Sequence, residues 1–259
     1  HFLAYAAMME GRYVTALNAA RQLEDEIPPG FLREWPQFAD GFMPVTYHVM
    51  IRFGMWENIL IESAPPAFRR ISRAMHHYAR GVAYSALGQT NKARAELRHF
   101  EAAARKIPST WMIGNNHAPD VMEVARRMLL GELYYREGRH NEAFAHLRIG
   151  VTLEESLAYD EPPAWMQPVR HALGALLMGV GRYAEAEQVY RDDLAVNTNN
   201  GWAMLGLEQA LLAQGKHSEA QQFAVARADT WARADVNPPS SCYCQPADQT
   251  MLTNVPTDD

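Results

Sequence analysis

Apolar positions along this chain recur with helical spacing in successive stretches, and each stretch stops at a Gly followed by a short polar turn. An Ala stands five residues after that Gly in "GRYVTA" from Gly11, "GQTNKA" from Gly88 and "GRHNEA" from Gly138. "GRYAEA" from Gly181 and "GKHSEA" from Gly215 repeat the pattern, and "GMWENI" from Gly54 is a degenerate copy. The Gly lets one helix stop in a left-handed turn, and the small Ala lets the next helix pack closely against the first. The predicted unit is therefore a helical hairpin. First helices are predicted over 1–10, 43–53, 72–87, 120–137, 166–180 and 201–214. Their partners are predicted over 12–25, 55–62, 90–105, 140–156, 182–196 and 216–234. Connectors near 27–42, 63–70, 106–119 and 157–165 are rich in Pro, Gly and aromatics.

The turn glycines are 43, 34, 50, 43 and 34 residues apart, which suggests two similar three-hairpin halves offset by 127 residues. Thirty-four is the tetratricopeptide period. Over roughly residues 1 to 225 the chain resembles the tetratricopeptide-repeat (TPR) family. The best match lies in Gly181, Tyr183, Ala186, Tyr190, Asn200, Leu207, Leu211 and Ala220, with Thr198 where the family usually has Pro. As a whole the chain is similar to bacterial TPR proteins of uncharacterised function. The resemblance implies an all-α fold: an α-solenoid of about six helix-turn-helix hairpins, with irregular insertions between repeats. Residues 1–236 are expected to form the repeat domain, and 237–259 an extended C-terminal tail without helical period.

In that family the concave surface is lined by the first helices, and ligands touch positions ten and six residues before the turn Gly. Ten before it stand His1, Pro44, Tyr78, Met128, His171 and Leu205; six before it stand Tyr5, His48, Val82, Glu132, Ala175 and Gln209. Arg52, Tyr135, Arg136 and Trp202 lie nearby on the same faces, and Arg170 sits beside His171 on the shoulder. The resemblance thus implies a scaffold that holds a peptide or partner segment in this groove, a small molecule being the lesser alternative. Arg52, Arg136 and Arg170 would meet carboxylates, while Tyr5, Tyr78, Tyr135 and Trp202 would supply rigid aromatic contact. The plainer reading of the same residues is a solvated lining.

A rival reading is a metalloprotein or enzyme in the same groove, with His1, His48, His171 and Glu132 converging from separate helices on zinc, copper or iron. Cys242 and Cys244 form a separate Cys-x-Cys candidate for a soft metal, too small for a closed zinc site. Adjacent His76 and His77 point in different directions on a helix, and His99, His140, His146 and His217 read as surface residues. No Gly-rich phosphate loop, Gly-x-Ser-x-Gly or His-Glu-x-x-His is present, so neither a catalytic motif nor an organic cofactor is expected.

Bulk properties narrow the partners. A net charge of −6 argues against nucleic acid, and no apolar run approaches the roughly 20 residues of a membrane-spanning helix. Two cysteines leave the redox compartment open, with a cytoplasmic setting slightly favoured. The chain lacks an initiator Met and starts within helix pattern, so a fragment or processed product is expected, with any upstream targeting signal outside it.

Overall fold

A computed structural model describes residues 1–242 and residue 244. Among the described residues six helical hairpins follow one another: α1 (Phe2–Met9) with α2 (Tyr13–Glu26), then, after two short helices, α5 (Val45–Arg52) with α6 (Trp56–Ile61). Next come α7 (Arg70–Ala86) with α8 (Thr90–Ala104), and α9 (Ala118–Arg136) with α10 (His140–Glu155). The last two are α11 (Val169–Gly179) with α12 (Tyr183–Val196), and α13 (Gly201–Ala213) with α14 (His217–Thr230). Every hairpin turns at the expected Gly, with φ between 67 and 77°, a region closed to most side chains. Ala16, Ala93, Ala143, Ala186 and Ala220 lie buried just after those turns, where each second helix meets its first.

The first helices pack on one another in chain order, α1 on α5, α5 on α7, α7 on α9, α9 on α11 and α11 on α13. Tyr190 of α12 explains how closely the last two hairpins nest. Its ring lies between Gly174 of α11 and Gly206 of α13, where an added Cβ would come within 2.4 and 2.1 Å of its Cζ.

The array does not stay open. Trp231 stacks edge-on against Trp202 at 5.0 Å, and their indole nitrogens donate to Met9 O and Met8 O of α1, each at 3.0 Å. Asp235 N–H donates to Gly11 O at 3.1 Å, and its carboxylate accepts from the first backbone N–H groups of α2, Tyr13 and Val14. That carboxylate serves as the α2 cap, a role that suits an anion at a helix N-terminus. A second apolar cluster, with Ala4, Met8, Phe53, Trp202 and Trp231, seals this seam between the first and last hairpins.

The connectors hold structure that periodicity does not reveal. Residues 27–42 include α3 (Pro29–Glu34), α4 (Pro36–Ala39) and a 3₁₀ turn (Asp40–Phe42), and both helices open on Pro, as suits a first helical position. Between α8 and α9 a two-residue hairpin pairs β1 (Met112–Ile113) with β2 (Asn116–His117). Residues 157–168 remain irregular and pass through a cis Glu161–Pro162 bond. Among the described residues no helix is long and apolar enough to cross a membrane.

Candidate binding cavity at the inner face

Two segments run across the face lined by the first helices. The connector before α11 is pinned by the β1–β2 turn: the Asp160 carboxylate accepts Asn115 N–H at 2.8 Å, and Asn116 exchanges hydrogen bonds with the Ala158 backbone at 2.7 and 3.0 Å. It delivers Trp165, 1% exposed, against His48 at 5.1 Å and Tyr78 at 5.4 Å between ring centroids. The second segment is the start of the tail. Gln209 Nε2 donates to Pro239 O at 2.8 Å, Arg52 Nη1 donates to Ser241 O at 3.0 Å, and Ser241 Oγ donates to His171 O at 2.9 Å. The tail is thus docked through Ser241; Tyr243 and 245–259 lie outside the described residues.

Beneath the tail sits a buried polar chain. Arg52 Nη2 lies 3.0 Å from His171 Nδ1, and His171 Nε2 lies 3.1 Å from Asp193 Oδ2. A guanidinium can only donate, so Nδ1 accepts and Nε2–H donates to the carboxylate. Asn200 Nδ2 completes the set with a bond to Asp193 Oδ2 at 3.2 Å, while its Oδ1 accepts Trp202 N–H at 3.0 Å and so caps α13. Burial lowers the His171 pKa, and burial lowers that of Arg52 to about 10. The Arg52 guanidinium also lies 4.6 Å over the Trp202 ring.

The groove residues also make contacts within the chain. The three arginines expected to meet a ligand's carboxylate are paired inside the chain: Arg52 as above, Arg136 with Glu132 at 2.9 Å, and Arg170 with Glu155. Tyr78, His48, His171, Glu132 and Trp202 are buried rather than solvated. Tyr135 lies beside Arg136 (5.6 Å) and His140 (ring centroids 5.0 Å), and His1 stands edge-on to Phe42 at 5.2 Å. Burial pushes the His48 pKa down to about 4, with the Arg52 charge adding to it. Among the described residues, His1, His48, His171 and Glu132 do not form a group within metal-ligand distance. The sulfurs of Cys242 and Cys244 are joined to each other as a disulfide.

What stays open is a cavity of about 640 Å³ beside the connector, between the start of α1, the ends of α10 and α12, and the start of α11. That volume falls within the usual range for ligand sites. Phe2, Tyr5, Tyr159 and Trp165 give it aromatic walls, and Glu154, Glu155, Asp160, Glu161 and Asp193 bring carboxyl groups, against the single guanidinium of Arg170. Glu154 Oε2 accepts Val169 N–H at 2.9 Å, and burial pushes its pKa up to about 8, helped by the nearby Asp193 charge. Burial likewise pushes the Tyr5 phenol up to about 12. Tyr5 and Arg170 were legible as groove residues; Glu154, Asp193 and Trp165 were not, because they sit on a second helix or in a connector.

Fold and inner face together define a closed array of TPR-like helical hairpins with an open acidic, aromatic cavity. No protein-family model and no curated protein matches the chain. Among solved structures it is similar to two chains from Podosopora anserina, provisionally described as a kinesin light chain with nearly identical TPR-like repeats. One, a single-substitution variant, is 19% identical, with 86% of this chain and 96% of that chain covered and a TM-score of 0.46. The other is 18% identical, covering 88% and 99%, with a TM-score of 0.45. Likeness of that degree carries no functional argument; the architecture stands on the hairpins themselves.

Proposed function

We propose that the chain is a binding module that seats an extended segment of a partner protein through a basic side chain placed in the inner-face cavity. The observation that supports this reading is the lining: aromatic faces and carboxyl groups surround about 640 Å³, and the one guanidinium there is already spent on Glu155. A Lys or Arg side chain fits such a lining, its stem on the aromatic walls, its charge over their faces and beside the carboxylates. The charge preference is thus the reverse of the one expected from the groove arginines.

Glu154 makes the reading testable. A cation beside it favours its ionised form, so binding draws off the Glu154 proton, and affinity rises with pH until the free group is itself ionised near pH 8. In anisotropy titrations at low salt, a Lys-containing peptide should bind and an acidic peptide of equal length should not. Glu154→Gln keeps the acceptor for Val169 N–H; it should weaken binding about tenfold, or about 1.4 kcal/mol, and flatten the pH dependence. Preference for the acidic peptide, or an unchanged pH profile in the variant, would overturn the proposal.

A further inference from the structure

A second constellation lies on the third hairpin and shares no residue with the cavity lining. His77 of α7 and Glu96 and His99 of α8 each offer a donor atom within 4.8 Å of the other two. His77 Nδ1 is 2.7 Å from Glu96 Oε2, and His99 Nδ1 is 3.8 Å from the same oxygen. We propose that these three side chains form a site for a divalent transition metal of the zinc class, bridging the two helices of the third hairpin.

The chemistry of the donors supports this. Two imidazoles and one carboxylate are a common zinc set with a position left for water. Tetrahedral zinc at about 2.0–2.1 Å from its ligands holds neighbouring donors about 3.3 Å apart, and the two observed separations bracket that value. His99 is the long contact and is 62% exposed, so its ring can swing inward without disturbing the core.

Glu96 is preset for the task. Arg80 Nε donates to its other oxygen, Oε1, at 2.8 Å, which turns Oε2 toward the two imidazoles. Arg80 is itself held by Leu60 O at 2.8 Å and Tyr84 Oη at 3.2 Å. Outer partners that orient a ligating carboxylate in this way are a regular part of metal sites. On α8 the spacing Glu96-Leu97-Arg98-His99 places a carboxylate and an imidazole three apart on one helix face. His77 joins them only through the packing of α7 on α8.

The test is isothermal titration of the full, tag-free chain with zinc chloride, beside His99→Ala, His77→Ala and, as a control, the exposed His217→Ala. One zinc per chain is expected for the wild type and for His217→Ala, with affinity lowered about tenfold or more in the other two. Circular dichroism of the exposed His99 variant checks that its fold is intact. Absence of saturable binding in the wild type, or undiminished binding in folded His99→Ala, would overturn the site. Neither outcome bears on the cavity, which shares no residue with it.

Discussion

The same kinds of side chain meet twice in this molecule, with opposite consequences. At the inner face Arg52, His171 and Asp193 stand in line, all buried, with the tail segment that includes Ser241 lying over them. On α7 and α8, Arg80, Glu96, His77 and His99 form a comparable set, but His99 faces water. In the first set each side chain bonds to another of the set, and the positive and negative charges balance out of solvent. In the second, one imidazole is free to move. Access, more than composition, separates a polar core from a site.

The comparison breaks most sharply under substitution. Asp193→Ala leaves the Arg52 charge buried without its counter-ion and should cost about 3–5 kcal/mol in denaturant unfolding. A loss below about 1 kcal/mol would mean that the inner set is not a structural unit.

A change of pH should act next. Burial pushes the His48 and His76 pKa values down to about 4, whereas an unfolded imidazole takes its proton near 6.5. The stability they contribute is therefore complete above pH 6.5 and is lost as pH falls toward 4. Unfolding midpoints should drop across that window, and His48→Gln should reduce the drop. The smallest effect belongs to the outer set: without metal, His99→Ala should shift stability by no more than about 0.5 kcal/mol, measured in the same way. A larger loss would show that His99 is structural and that the contrast in access is misplaced.

The hairpins were legible because their causes are local. A Gly that must take positive φ and an Ala that must fit beneath a helix leave marks in six residues, and predicted helix ends fall within a few residues of the observed ones. The short helices opening at Pro29 and Pro36 were missed because six and four residues are too few to show a period. Register places Tyr5, His48, His171 and Gln209 on the inner face, and they lie along it beside the cavity, the connector or the docked tail. Their partners were not, because they come from 22 to 189 residues away, as with Asp193 for His171 and Ser241 for Arg52. Register reports which way a side chain points but is silent about what the chain later lays across it. The cavity is left open, and its acidity follows in part from Glu154 and Asp160, which no register rule selects.

The bond between Asp235 and Gly11 carries a consequence for how such a chain can change. An open stack of repeats tolerates duplication or loss of a unit, since each unit touches only its neighbours. Here each added helix would push the two edges of the seam apart by about 8–10 Å, and Asp235 would no longer reach the start of α2. The number of hairpins is thereby locked by geometry. Variation is channelled into the connectors, which can lengthen without parting the seam, and one of them already walls the cavity.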